Sequence, residues 1–290
     1  MSAMNFRPLV EQRFHGGEGP TWDERRGLVF FVDMAGAAVH AASLDGETLL
    51  TFTPPEPPYS LALCESGRIL VAITRSLVLL DPETGTFTPF AEVGAVPPHA
   101  RLNDGKTGPD GAFWVGSMDL SPERQPIGRM FRVTADGVRQ VDGFAAMTSN
   151  GLAWTADGRR MIHTDSRGQW IDRWDFDAAT GTASNRERIA SPSEAIGRPD
   201  GGACDMDGTY WSAGVSAGCL NRWSLTGEHL ASHPVPAPAP SMPCFCGPDL
   251  KTVVVTSLTP DPHRGNPDSG MLMIGDAAVA GAPVGRLTGL

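Results

Sequence analysis

The feature that most constrains this chain is a short pattern that returns six times. A turn carrying glycine is followed by a β-rich run, as in DERRGLVFFVD at 23–33, CESGRILVAI at 64–73 and GPDGAFWVGS at 108–117. It comes back as TADGRRMIHT at 155–164 and DMDGTYWSAG at 205–214, and a sixth copy, GPDLKTVVVTS at 247–257, has Leu250 in the glycine's place. The turn glycines Gly27, Gly67, Gly111, Gly158 and Gly208 are 40, 44, 47 and 50 residues apart, and Leu250 lies 42 further on. Each copy has a second half with its own turn, such as LVLLDPETGTF at 77–87 or RMFRVTADGVRQV at 129–141, so each unit reads as two hairpins. A unit of four short strands cannot bury its apolar faces alone and must stack on its neighbours. The pattern therefore predicts an all-β fold, a six-bladed β-propeller of four-stranded blades spanning 1–290 as a single domain. A strand around Arg7–Arg13 is expected to complete the last blade, which closes the ring and removes exposed sheet edges.

Composition agrees. The chain holds 34 Gly and 25 Pro, which largely exclude long helices because each is costly in a helix interior. It also holds seven Trp and twelve Phe, enough for a sizeable core. The formal net charge is -10 and only two lysines occur, Lys106 and Lys251. Without a basic stripe to neutralise phosphates, nucleic acid is not an expected partner, and the acidic balance disfavours an anionic membrane face. No apolar run is long enough to span a membrane, and MSAMNFRPLVEQRFHGGEGP at 1–20 lacks the apolar core of a secretory leader. The five cysteines have no framework spacing and read as buried reduced thiols, so a cytoplasmic location is expected.

The repeat also places a site. Eight residues before each turn glycine, or nine in the first unit, stand Glu18, Tyr59, Asn103, Asn150 and Asp200, with Met242 as the sixth equivalent. These positions begin the innermost strand of each blade and face the central channel. One mouth of the channel should therefore gather Glu18, Asn103, Asn150 and Asp200 from four different blades. All are oxygen donors, which suits one divalent cation such as calcium, magnesium or manganese; zinc and iron are also compatible. Arg101, two residues before Asn103, shares its face and is placed to hold substrate hydroxyl or carbonyl groups. His99 reads as a solvated loop residue, and Trp22, Trp154 and Trp211 as packing between blades. Asp33 and Asp165 read as anchors of turns.

The set EGP (18–20), RLNDG (101–105), WVGSMD (114–119), TSNGLAW (148–154), RPDGG (198–202) and CFCGPDLKTVVVTS (244–257) resembles the SMP-30/gluconolactonase/luciferin-regenerating family over essentially the whole chain. The resemblance implies a six-bladed propeller with a divalent metal at the channel mouth and lactonase or related hydrolase activity. It assigns Glu18, Asn150 and Asp200 as metal ligands and Arg101 and Asn103 as contacts to a sugar lactone. Where many members carry a Glu after the GTM-like motif, this chain has Ser121; Asp119 is the nearest carboxylate and is taken as the substrate contact there.

The expected reaction is opening of an aldonolactone to the sugar acid, with the metal polarising the carbonyl and Asp200 as general base. No GxSxG elbow competes. Two other readings stay open: a metal-dependent hydrolase of other lactones, esters or organophosphates, and a metal-binding propeller that serves as an interaction platform.

Overall fold

The computed structural model describes residues 4–259 and 265–290; Met1–Ala3, part of the segment searched for a leader, lie outside the described residues. Six four-stranded antiparallel sheets account for all the named strands. Blade 1 is β2 (Gly17–Asp23), β3 (Leu28–Asp33), β4 (Ala38–Ser43) and β5 (Leu49–Phe52). Blade 2 is β6 (Ser60–Leu63), β7 (Ile69–Ala72), β8 (Ser76–Asp81) and β9 (Thr86–Glu92). Blade 3 is β10 (Ala100–Thr107), β11 (Phe113–Asp119), β12 (Gly128–Thr134) and β13 (Gly137–Ala146). Blade 4 is β14 (Ser149–Trp154), β15 (Arg160–Asp165), β16 (Trp170–Asp177) and β17 (Thr182–Ala190). Blade 5 is β18 (Pro199–Cys204), β19 (Tyr210–Gly214), β20 (Cys219–Trp223) and β21 (His229–Pro234). Blade 6 is β22 (Pro240–Cys246), β23 (Thr252–Ser257) and β24 (Met271–Asp276), completed on its outer edge by β1 (Arg7–Arg13). The ring is thus closed by the N-terminal strand expected from the repeat, and the all-β six-bladed propeller is the observed fold.

Six buried clusters hold the ring together, one at each junction between neighbouring blades. Between blades 3 and 4, Trp114 packs edge-on against Trp154 and Phe176, with Leu152 and Met161 around them. Between blades 1 and 2, Phe30 and Val32 meet Leu61, Ile69 and Val71. Burying one such side chain is worth about 1.5–3 kcal/mol, so every junction contributes and none dominates. Trp154 and Trp211 are buried in these junctions, while Trp22 is half-buried.

The turn residues confirm the register of the repeat. Gly27, Gly67, Gly111, Gly158 and Gly208 all have φ between 67° and 88°, and Leu250 adopts φ 54° at the sixth position. The left-handed turn is therefore preserved where the glycine is not, at the steric cost a side chain carries there. A segment the repeat does not describe, 277–290, crosses the far end of the channel. There Ala282 N bonds Cys204 O, Leu287 N bonds Leu63 O and Thr288 N bonds Gly111 O. Arg286 reaches Asp23 and Glu24. Among the described residues no helix is long and apolar enough to cross a membrane.

Candidate functional site

Five of the six innermost strands share one irregularity. The antiparallel register shifts between Glu18 and Thr21, Leu102 and Gly105, Asn150 and Ala153, Pro199 and Gly202, and Pro240 and Met242. A bulge at that point bends the strand and re-aims the side chain beside it. Glycine makes the bend possible: Gly19 and Gly151 have φ 57° and 65°, and a Cβ on Gly201 would stand 2.4 Å from the Met242 side chain. The innermost strand of blade 2 has no such bulge; β6 is a regular four-residue strand preceded by Tyr59.

The bulged strands bring Glu18, Asn103, Asn150 and Asp200 to one mouth of the channel, where all four are buried. A relay of hydrogen bonds crosses three blades. Arg101 Nη1 donates to Asn103 Oδ1 (2.6 Å), Asn103 Nδ2 donates to Asn150 Oδ1 (2.8 Å), and Asn150 Nδ2 donates to Asp200 Oδ1 (2.5 Å). Ser166, which the repeat does not single out, braces the far end. It accepts from Asn150 Nδ2 at 2.6 Å and donates to Pro199 O (2.7 Å) and Asp200 Oδ1 (3.3 Å). Tyr59 supports the near end, with the Arg101 guanidinium 3.8 Å above its ring. Among the described residues Asp200 Oδ2 makes no hydrogen bond, and Glu18 accepts only from Gly19 N, at Oε2 and 3.2 Å. Each carboxylate thus keeps one oxygen uncommitted.

These carboxylates are electrostatically costly as they stand. Burial, with the nearby Asp104 carboxylate, pushes Asp200 up to about 7. Burial, then Asp200 and Asp104, raise Glu18 well above the usual carboxylate range. Asp104 is raised by burial too; among the described residues its Oδ1 has no hydrogen-bond partner, and its Oδ2 accepts from Leu152 N at 3.3 Å. Two buried carboxylates with free oxygens and a carboxamide between them fit a divalent cation, whose charge would offset the unfavourable ionisation. Among the described residues no three of His, Cys, Asp and Glu converge, so such a site depends on the Asn150 amide oxygen as third donor. That oxygen now accepts from Asn103 and has a second lone pair to offer.

The mouth opens into a cavity of about 400 Å³ lined by Glu18, Arg101, Asn103, Asn150 and Asp200. Asp119 does not line it. Its carboxylate accepts from Ser121 N (3.0 Å), Ser121 Oγ and Gln125 N (2.6 Å), and so closes the β11–β12 loop on itself. Asp119 is the last residue of its strand, as Asp33 and Asp165 are of theirs. Asp33 accepts from His15 N and Gly36 N; Asp165 accepts from Met147, Thr148, Arg167 and Gly168 N. The series FVD, SMD, HTD at 31–33, 117–119 and 163–165 carries that signal in the sequence. His99 is exposed, as a loop residue should be.

Residues 16–259 match the family described as the SMP-30/gluconolactonase/LRE-like region. The chain belongs to this family. It is 33% identical over 251 residues to the 6-deoxy-6-sulfogluconolactonase of Pseudomonas putida, covering 86% of this chain and 85% of that protein. It is 30% identical over 283 residues to regucalcin of Xenopus laevis, covering 93% of each. Among solved structures, the calcium-binding protein regucalcin of Agrobacterium tumefaciens superimposes with a TM-score of 0.89 at 26% identity over 99% of both chains. Lactonases and calcium-binding proteins of this family are thus similar to the chain over nearly its full length.

Proposed function

We propose that the protein is a metal-dependent lactonase that opens a sugar lactone to its sugar acid at this channel mouth. The observation that carries the reading is the convergence of Glu18, Asn150 and Asp200 with Arg101 and Asn103 in one cavity. The family membership and the lactonase among the relatives support it.

A divalent cation (calcium, zinc, manganese, magnesium or iron) held by Glu18, Asn150 and Asp200 would supply Lewis-acid polarisation of the lactone carbonyl. Asp200 acts as the base for the water that attacks the carbonyl carbon, through the carboxylate oxygen that the cation does not take. As the new C–O bond forms and the acyl–ring-oxygen bond breaks, that proton passes to the departing ring oxygen, and the product is the hydroxy acid. Asn150 and Ser166 hold Asp200 Oδ1, which fixes the direction in which Oδ2 points. Arg101 stays cationic although burial lowers it to about 10, and with Asn103 it orients substrate hydroxyls. Asp119 enters this reading through the loop it closes rather than by touching substrate. The five cysteines are free and buried, in keeping with a reducing, cytoplasmic setting.

The test is pH-stat titration of the protein against a panel of sugar lactones, each with and without a chelator. Acid release that the chelator abolishes and added cation restores is the expected result. No acid release from any lactone would sink the reading.

A further inference from the structure

The cavity carries more positive charge than opening a neutral sugar lactone requires. Besides Arg101 it is lined by Arg124, Arg167 and Arg198, against the two carboxylates Glu18 and Asp200. This happens in a chain whose formal net charge is -10. The three further arginines sit side by side on consecutive blades. Arg124 is in the β11–β12 loop of blade 3, Arg167 in the β15–β16 turn of blade 4, and Arg198 immediately precedes β18 of blade 5. The facing part of the wall, from blades 6 and 1, presents Ala239, Leu258 and Met34. The arginines therefore all come from one side of the cavity, which also presents Met118 and Val215, and none comes from the facing side.

The three guanidiniums are lightly engaged. Arg167 has no carboxylate within ion-pair reach among the described residues, and Arg198 comes no nearer than 3.9 Å to Glu194. Arg124 donates to the Asp119 carbonyl, and its own backbone is left-handed at φ 51°. By contrast Arg132, Arg186 and Arg286 each meet a buried aspartate. The loop closed by Asp119 thus delivers a guanidinium to the cavity at a strained position, which is where local strain is most often put to use. Arginine presents a planar fork of donors that matches carboxylate, sulfonate and phosphate groups. In a concave, partly desolvated site such charges focus on an anionic ligand.

We infer that the preferred substrate is a sugar lactone bearing an anionic substituent on the carbon chain away from the carbonyl, held by Arg124, Arg167 and Arg198. This rests on the lactonase reading for the placement of the lactone ring, but the arginine cluster makes its own prediction about charge.

The experiment compares glucono-δ-lactone with its 6-phospho derivative, which shares the ring and adds only the charged group. Wild-type kcat/KM should be at least tenfold higher for the charged lactone, and the advantage should shrink as salt is raised. The charged-to-neutral ratio should fall tenfold or more in Arg167→Ala and further in Arg167→Ala/Arg198→Ala, with Arg167→Lys recovering part of it. A wild-type ratio of one or below, or a ratio that survives both variants, overturns the inference while leaving lactone opening in place. A second arm titrates gluconate and 6-phosphogluconate into the protein calorimetrically. If no lactone is opened yet the phosphorylated acid binds tenfold tighter and Arg167→Ala removes the difference, the lactonase reading fails and the anion site stands. Equal or absent binding of both acids overturns the anion site.

Discussion

The channel mouth has two tiers built by different rules. The inner tier, Glu18, Asn103, Asn150 and Asp200, sits on strands at repeat-equivalent positions, each beside a bulge, and is buried, with Asn103, Asn150 and Asp200 cross-linked by hydrogen bonds. The outer tier, Arg124, Arg167 and Arg198, sits on turns and loops that differ from blade to blade and is half-buried or exposed. Strand positions are held by ladder hydrogen bonds and packing on both sides, which suits groups whose geometry must not drift. Loops can change without disturbing the ring, which suits groups that select among substrates. The comparison teaches that chemistry and specificity are separable here, and the following expectations are ways to break it.

The largest effect should come from the inner tier. Asp200→Asn removes the proposed base and a cation ligand while keeping the shape, so lactone kcat should fall by about a thousandfold. The melting temperature should hold or rise, since a costly buried carboxyl is gone. Near-wild-type turnover in the cation-loaded variant would remove Asp200 from its role.

A smaller effect tests the wall behind that tier. His163 is buried beside Phe144 and Trp170, its Nε2 2.8 Å from Ser149 Oγ, and burial with Arg186 and Arg188 nearby lowers it to about 3. The folded state thus prefers the neutral ring, while the unfolded chain takes up a proton below about 6.5. Its contribution to stability is present above that value and is lost as pH falls toward 3. Denaturant midpoints measured between pH 7 and 4 should show this as a loss on the order of 3 kcal/mol that His163→Gln reduces. Identical pH slopes in the two proteins would contradict it.

Least severe is Asp119→Ala. Loss of the carboxylate that closes the β11–β12 loop should cost about 1–2 kcal/mol in urea unfolding. Turnover should fall far less than in Asp200→Asn. A loss of turnover as deep as that of Asp200→Asn would move Asp119 into the inner tier.

The two tiers were unequally legible in the sequence. Counting back from the turn glycines reaches the inner tier because each blade repeats the same local geometry, and even Leu250 keeps its left-handed turn. The closing strand Arg7–Arg13 was legible from the need to close the ring, although reading each unit as two hairpins gave the last blade a fourth strand of its own where the structure uses β1. Arg124 and Arg167 were not, since their loops have no register to count along, whereas Arg198, two residues before Asp200 as Arg101 is before Asn103, lay within reach of the same count. Ser166 and Asp104 were missed because neither stands at a repeat-equivalent ligand position. The expected substrate contact of Asp119 came from proximity to a family motif, whereas its place in the FVD, SMD, HTD series points to turn closure. The tail at 277–290 binds through backbone groups and the Arg286 side chain and shows no alternating pattern to read.

The central claim is that the inner tier holds one divalent cation. Calorimetric titration of calcium and of manganese into chelator-treated protein tests it directly, on wild type, Glu18→Gln, Asp200→Asn and Asp119→Ala. One site in wild type and in Asp119→Ala, weakened at least tenfold in both inner-tier variants, is the predicted result. Cation affinity unchanged by Glu18→Gln and Asp200→Asn, or no binding to the wild-type protein, would contradict it.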